Sequence, residues 1–311
     1  MSYLCQLEPD VLLEQFLAHP PAGFVVGRTP SGLPFFRAPF DLLSTADDAL
    51  RRRVSGLPLY RHWSRWLRWQ THFAGCTVTE YLPLPDAPPA ALARELKAHC
   101  GRRDALLIVK DLAQASPLLA PADNAHAAAF AEACEAEGFV LLEGMPLAWV
   151  AIDFADEDAY LQRLSASRRK DIRRKLRARA GLEVELVATG DALYRKVYAQ
   201  SAIHFDELAP AFLSALLQDA ASGGRVFVYR HGGDMIGWNL CYEHAGKLID
   251  KYVGFDYPQA REHNLYAVSW MHNLAYARER GLSHYVAGWT DPEIKSYLGA
   301  RLTRTRHAVY A

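Results

Sequence analysis

The fold is decided by one stretch, Leu248 to Thr303, which reads LIDKYVGFDYPQAREHNLYAVSWMHNLAYARERGLSHYVAGWTDPEIKSYLGARLT. Its apolar residues predict a strand that ends near Phe255, a polar corner, and a helix from about Asn264 to Arg280 that Gly281 terminates. A second strand, SHYVAG, and a short helix from Pro292 to Leu298 follow. Strands and helices in this order can line a cleft, and the last helix carries one lysine, Lys295.

Three strand-like runs surround the start of this stretch: RVFVYR from Arg225, MIGWNLCYE from Met235 and KLIDKYVGF from Lys247. The connections HGGD and HAGK are short and contain glycine, which predicts an antiparallel meander. Upstream, the pattern predicts the strand EVELVA and helices over 191–204 and 210–221. Downstream, LTRTRHAVY predicts a last strand.

The N-terminal half alternates helix and strand patterns, which indicates an α/β unit. Two apolar runs, 23–28 and 32–37, predict a hairpin, and Pro88 and Pro89 open a helix that ends at Gly101. We also expect a strand from Gly75 to Leu84. The composition changes near Asp153, so we predict two domains: an N-terminal α/β domain over 1–153 and a C-terminal domain over 154–311 that carries the active site.

Composition excludes several classes of protein. The chain has 311 residues, half of them hydrophobic, and a formal net charge of zero, which argues against a protein that coats nucleic acid or anionic membrane with its whole surface. Neither a signal-peptide run nor a membrane-spanning run is found, so the sequence predicts a soluble, cytoplasmic protein. The five cysteines are widely spaced and predict buried free thiols, with no metal site.

Two basic segments have alternative interpretations. In YRHWSRWLRWQTHF, Trp63, Trp66 and Trp69 alternate with basic residues. Such a pattern can stack bases, but at helical spacing it more commonly faces a core. The run from Tyr160 to Ala180 is helical by pattern and strongly basic. Within it Arg168 falls in the middle of the apolar stripe, where it must bind an anion or a carbonyl rim, or form a structural ion pair.

The order of these elements resembles the GNAT acyltransferase fold, and more closely its FemAB-like branch, in which two GNAT-like domains lie side by side. The motifs that carry the resemblance are LSASRRKDIRRKLR, DKYVGFD and GWTDPEIKSYLGA, with Gly288, Lys295 and Gly299 spaced as in that branch. The resemblance implies that both predicted domains are GNAT-like, with a mixed α/β (α+β) fold and largely antiparallel sheets flanked by helices. It also implies transfer of an acyl group to an amine, with no tightly bound cofactor.

The corner GFDYPQAREHN departs from ordinary acetyl-CoA enzymes of this fold. Those enzymes place a glycine-rich loop there, whose backbone N–H groups approach the pyrophosphate. Here no glycine follows Gln259. The FemAB-like branch is similar in this respect, and its characterised members take an aminoacyl group from tRNA. The co-substrate is therefore acyl-CoA or aminoacyl-tRNA, and the basic helix from Arg168 to Arg179 could bind the tRNA.

Acyl transfer needs a charge stabiliser at the carbonyl oxygen and a group that takes the proton of the amine. Lys295 is the predicted stabiliser, a role to which the resemblance also points; the alternative is a surface lysine. Asp256 and Glu262 flank the corner and are the predicted proton acceptors, or they bind the substrate ammonium before it loses that proton; Asp256 could equally form a turn. Predicted substrate-binding residues are Arg168, Tyr252, Asn264, Trp289 and Tyr297, any of which could instead serve packing or capping.

The sequence thus predicts an N-acyltransferase that acts on an amine of a small molecule or peptide. The alternative is a non-catalytic module of the same fold that binds a peptide or an anionic small molecule.

Overall fold

The computed structural model describes residues 3–43, 48–101, 104–187, 207–218 and 222–311. The helix predicted over 191–204 lies outside these residues. The described part of the chain is a mixed α/β structure in which helices flank a long sheet, as the sequence predicted.

Prolines and one aspartate cap mark the first turns of several helices. Pro89, Pro121 and Pro292 lie in the first turns of their helices, where a missing N–H costs nothing. The side chain of Asp156 accepts a hydrogen bond from the Ala159 N–H and caps another helix. The described α-helices are Asp10–Ala18, Asp48–Ser55, Tyr60–Trp63, Pro89–Cys100, Pro121–Ala136, Glu157–Gln162, Ala166–Lys175, Pro210–Gln218, Gln259–Glu262, Leu265–Glu279 and Pro292–Leu298.

The described strands are β1 (Tyr3–Leu4), β2 (Val25–Arg28), β3 (Pro34–Asp41), β4 (Arg68–Ala74), β5 (Leu84–Pro85), β6 (Leu106–Gln114), β7 (Val140–Glu143), β8 (Leu147–Ala151), β9 (Glu183–Val187), β10 (Gly224–His231), β11 (Asp234–His244), β12 (Lys247–Phe255), β13 (His284–Gly288) and β14 (Arg301–Tyr310). Twelve of them form one sheet in the order β2-β3-β4-β6-β14-β8-β13-β12-β11-β10-β9, with β7 also paired to β14. The pairs β4–β6 and β12–β13 are parallel, and the other pairs are antiparallel. The predicted hairpin and meander are confirmed.

Two strands carry the sheet across the middle of the molecule. β8 precedes the predicted boundary at Asp153 but pairs with β13 of the C-terminal half. β14, the last strand of the chain, pairs with β8 through Arg301–Thr303 and with β6 through 304–310. Each half therefore receives a strand from the other, and the hydrogen-bonded sheet is continuous. The boundary itself stays a prediction.

Two expectations from the N-terminal half were wrong. The strand predicted from Gly75 to Leu84 is instead formed by Arg68–Ala74, which pairs between β3 and β6. The tryptophans do not form a core stripe, because a 3₁₀ turn over Ser64–Leu67 and then β4 interrupt the helical period. Trp66 is 71% exposed and Trp69 is 40% exposed.

The helix Leu265–Glu279, called the crossover helix, connects β12 to β13. Nine of its fifteen residues are buried, including Leu265, Trp270 and Leu274, because it packs into the core instead of lying on the surface. All five cysteines are buried, as expected.

Candidate functional site

The site lies where two parallel strands separate. β12 and β13 are paired only from Lys247 to Ile249, against His284 to Val286. Beyond these three residues β12 continues along β11, while β13 ends at Gly288. Asp250 is the first residue of β12 past the last pair. The space between the two strands past this pair is called the cleft, and Asp250 lies at its base.

Asp250 accepts hydrogen bonds from three side chains. Tyr285 Oη donates at 2.7 Å, Asn239 Nδ2 at 2.6 Å and Asn273 Nδ2 at 3.4 Å. Burial raises the pKa of this carboxyl, and the hydrogen bonds from Tyr285 and Asn239 only partly oppose that effect. A carboxylate held in this way can accept a proton more readily than an exposed aspartate.

Lys295 lies in the last short helix, Pro292–Leu298, and is 5% exposed. The only hydrogen bond of its side chain among the described residues is a long one, 3.5 Å from Nζ to Thr290 Oγ1. Gly288, with φ at +81°, lies next to this amine, since a Cβ there would be 3.7 Å from Nζ, in van der Waals contact. Burial lowers the pKa of Lys295, while the charges of Asp250, Glu80 and Asp291 act in the opposite direction. The predicted alternative, a surface lysine, is therefore wrong.

A second buried lysine lies next to Asp250. Lys251 is the extra residue of a β-bulge, since Leu240 pairs with Tyr252 and Cys241 with Asp250. Such a bulge redirects a side chain. Lys251 Nζ lies 2.9 Å from Glu8 Oε1 and 2.6 Å from Glu80 Oε1. Because both glutamates come from the N-terminal half, this buried triad joins the two halves beside the cleft.

The corner between β12 and the crossover helix contains the predicted proton acceptors. Asp256 accepts a hydrogen bond from Gln259 Nε2 at 3.3 Å, and Glu262 is exposed on a one-turn helix, Gln259–Glu262. The charges that raise the pKa of Lys295 are those of Asp250, Glu80 and Asp291, and not those of the two corner carboxylates. Asn264 has a left-handed backbone (φ 49°) at the start of the crossover helix and makes no side-chain cap.

Backbone N–H groups of the corner are already in use. The N–H groups of residues 260–264 each donate to a carbonyl oxygen within the corner, from Asp256, Pro258, Gln259 or Arg261. A pyrophosphate cradle requires N–H groups that point outward without a partner. The N–H groups of residues 260–264 are therefore not free to form such a cradle.

Arg168 binds a carbonyl rim, one of the interpretations that its position allowed. Its guanidinium donates to the carbonyl oxygens of Ser296 and Tyr297, at 2.8 and 2.6 Å for the latter, and thereby caps the C-terminal end of the helix that carries Lys295. The Tyr297 hydroxyl donates to Asp171 at 2.8 Å, and its ring lies beneath Arg168. A cavity of about 250 Å³ opens beside Arg168, bordered also by Arg163 and Arg301.

The remaining predicted binding residues lie near the same strands. Tyr252 lies on β12 and makes an edge contact with Phe212, with ring centres 6.1 Å apart. Trp289 follows Gly288 at the end of β13, and Lys110 Nζ lies 5.0 Å from the centre of its ring. The indole Nε1 of Trp289 is buried and has no hydrogen-bond partner among the described residues.

Half of the basic side chains from Arg168 to Arg179 form ion pairs with acids: four of the eight pair with Asp158, Asp171 or Glu157. Arg173 pairs with Asp158, Arg174 with Asp171 and Arg179 with Glu157, each at 2.6 Å. Arg177 remains exposed. Binding of tRNA to this helix remains a prediction.

The sequence did not single out Asp250, Glu80, Lys251 or Glu8. A signal was present in the motif DKYVGFD, because a charged pair inside an otherwise apolar strand requires buried partners. The partners themselves, residues 8 and 80, are too distant in sequence to be identified.

Comparison with known proteins supports the expected resemblance. Residues 166–296 match the family model of the GNAT acetyltransferase domain. This range includes Asp250 and Lys295. No curated protein sequence matches the chain.

Three solved structures align over nearly the whole chain. The structure of L-PGS from Bacillus licheniformis is 11% identical, with a TM-score of 0.54, and covers 97% of this chain and 92% of its own. FemX is 11% identical, with a TM-score of 0.54, and covers 95% and 94%. A conserved protein of unknown function from Bacteroides thetaiotaomicron is 12% identical, with a TM-score of 0.57, and covers 98% and 92%. The chain thus shares their fold, and the match of residues 166–296 to the GNAT domain model agrees with a FemAB-like arrangement.

None of the helices in the described residues has both the length and the apolar character that crossing a bilayer requires.

Proposed function

We propose that the protein transfers an acyl or aminoacyl group to an amine of a small molecule or peptide, at the cleft between β12 and β13. The observation that carries this proposal is Lys295. It is a buried cation whose side chain has a single described hydrogen bond, 3.5 Å long. Burying an ammonium without a partner is costly, so its N–H groups are available for an oxygen of the substrate.

In this reaction the amine nitrogen attacks the carbonyl carbon of the donor. A C–N bond forms, the carbonyl oxygen gains negative charge, and the C–S bond of a thioester or the C–O bond of an aminoacyl ester then breaks. Lys295 donates a hydrogen bond to the charged oxygen. Asp250 takes the proton that the amine loses and passes it to the leaving thiolate or alkoxide, which restores the ionised carboxylate. Asp256 and Glu262 remain candidates for binding the acceptor amine as it enters.

The donor is either acyl-CoA or aminoacyl-tRNA. The GNAT domain supports the first, and the bonded N–H groups of residues 260–264 favour a donor held without a pyrophosphate cradle. Incubation of the protein with labelled acetyl-CoA, or with charged tRNA, and a library of amines distinguishes the two donors.

Lys295→Met tests the assignment. Methionine preserves the apolar stem and removes the charge, so we expect turnover to fall about a hundred- to a thousandfold with an unchanged melting temperature. Arg94→Met, at an exposed position of the helix Pro89–Cys100, is the matched control and should keep full activity. Transfer at the wild-type rate by Lys295→Met would remove Lys295 from the mechanism.

The pH profile tests Asp250 separately. The raised pKa of Asp250 and the lowered pKa of Lys295 predict a bell-shaped rate, since the reaction needs an ionised aspartate and a protonated lysine. Asp250→Asn should abolish the acidic limb along with most of the activity. An acidic limb that persists in this variant would assign the proton to another group, such as Asp256.

A non-catalytic binding module is the second candidate. The cavity of about 250 Å³ bordered by Arg163, Arg168 and Arg301 favours it, because positive charge around one opening suits an anionic small molecule. Two of these guanidinium groups also have partners in the protein: Arg163 pairs with Asp153, and Arg168 donates to the carbonyl oxygens of Ser296 and Tyr297. Absence of transfer from either donor to any amine, together with saturable binding of an anionic ligand, would support this function over catalysis.

A further inference from the structure

The segment Asp48–Gln70, called the Trp/Arg segment, has no role in the site described above. It connects β3 to β4, and its last three residues, 68–70, begin β4 and pair with Pro39–Asp41 of β3. Apart from this pairing and the bond from the Leu42 N–H to the Leu67 carbonyl, its described hydrogen bonds are almost all internal: Trp63 Nε1 donates to the Pro58 carbonyl at 3.1 Å, and Trp69 Nε1 to the Trp66 carbonyl at 2.8 Å. The segment thus protrudes from the end of the sheet instead of packing into a core.

Large apolar side chains on this segment face solvent. Leu59 and Trp66 are each 71% exposed. Leu50, Leu57 and Trp69 are exposed to between 40% and 48%. So many exposed leucine and tryptophan side chains within 23 consecutive residues mark an interaction surface.

The same segment concentrates positive charge. It contains six arginines and one acid, Asp48, for a formal net charge of +5, so the rest of this neutral chain carries −5. The arginines are Arg51, Arg52, Arg53, Arg61, Arg65 and Arg68. Arg68 lies 3.6 Å from Asp41, a distance that leaves most of its charge available on an exposed side chain. The excess of arginine over acid favours an anionic partner, and the exposed leucines and tryptophans favour one that also offers an apolar phase.

We propose that the Trp/Arg segment binds the surface of an anionic phospholipid bilayer. Arginines bind the headgroup phosphates, while tryptophan and leucine side chains enter the boundary between headgroups and acyl chains. RNA would also attract the arginines and stack on the tryptophans, but it gives no apolar environment to Leu57 and Leu59. A second copy of the chain would bring two segments of like charge together, which opposes symmetric pairing.

Co-sedimentation of the full chain with vesicles tests the proposal. We expect binding to vesicles of phosphatidylcholine with phosphatidylglycerol, weaker binding to phosphatidylcholine alone, and release by salt. Trp66→Ser removes an exposed apolar side chain, and Arg61→Glu with Arg65→Glu reverses two charges. Each change should weaken the vesicle affinity at least about tenfold while leaving the circular dichroism spectrum and melting temperature unchanged.

Lys170→Glu with Arg177→Glu makes the same change of net charge at exposed positions of another basic region, and this control should bind vesicles like the wild type. Equal losses in both double variants would show a general charge effect and overturn the proposal. The proposal would also be overturned if vesicle binding did not depend on phosphatidylglycerol. The same holds if the variants of the Trp/Arg segment kept vesicle binding and lost only tRNA retention, or only self-association measured by light scattering.

Discussion

Gly299→Ala tests how the backbone positions Lys295. Gly299 ends the helix Pro292–Leu298 with φ at +110°, and the next residue, Ala300, donates its N–H to the Lys295 carbonyl at 2.9 Å. A Cβ at residue 299 would lie 2.5 Å from the Tyr160 hydroxyl and 3.0 Å from a methyl group of Leu164. Tyr160 is buried, and its hydroxyl donates to the Leu298 carbonyl, so it cannot move away without losing that bond.

Two costs add in this variant. A side chain at positive φ costs about 1–2 kcal/mol, and forcing a methyl group into a filled space costs about 1–3 kcal/mol more. We therefore expect the free energy of unfolding to fall by about 2–5 kcal/mol. Because the helix must shift to relieve the clash, turnover should fall as well.

Urea denaturation followed by circular dichroism measures the change, and Gly281→Ala is the matched control. Gly281 follows the crossover helix at φ +67°, and nothing lies within 4 Å of the position that a Cβ would occupy there, so this variant has only the backbone cost. If the two alanine variants lose the same stability within about 0.5 kcal/mol, the contact with Tyr160 does not constrain the helix and the reasoning fails.

Two further predictions concern buried charge. Lys251→Met leaves Glu8 and Glu80 buried without their cation, so it should lower the free energy of unfolding by about 3–5 kcal/mol; in urea, a loss no larger than that of exposed Lys170→Met would contradict the triad. Burial lowers the pKa of His272 from 6.5 to about 4. In the pH window between these two values the unfolded chain binds more protons than the folded chain, so the free energy of unfolding falls as the pH drops through the window, by up to about 3 kcal/mol. His272→Gln should flatten this dependence in denaturation measured across the window, and an unchanged slope would assign it to other groups.

Local patterns were sufficient to predict much of the fold. Short glycine-containing turns between apolar runs predicted the β10–β12 meander, and terminal glycines and prolines predicted the crossover helix and the Pro292–Leu298 helix. These signals depend on neighbouring residues, so the sequence alone contains them. The N-terminal strand was misplaced because Arg68–Ala74 becomes a strand only through its pairing with β3 and β6.

For the site, the sequence by itself determined that Lys295 follows a predicted strand and lies between Gly288 and Gly299. It also determined that the corner lacks the glycine-rich loop of ordinary acetyl-CoA enzymes. Only the tertiary structure decided what surrounds that lysine. Separation of β12 from β13 places Asp250 at the base of the cleft, and a bulge directs Lys251 toward glutamates at positions 8 and 80. Residues so far apart meet only through long-range strand pairing and packing, which no local pattern encodes.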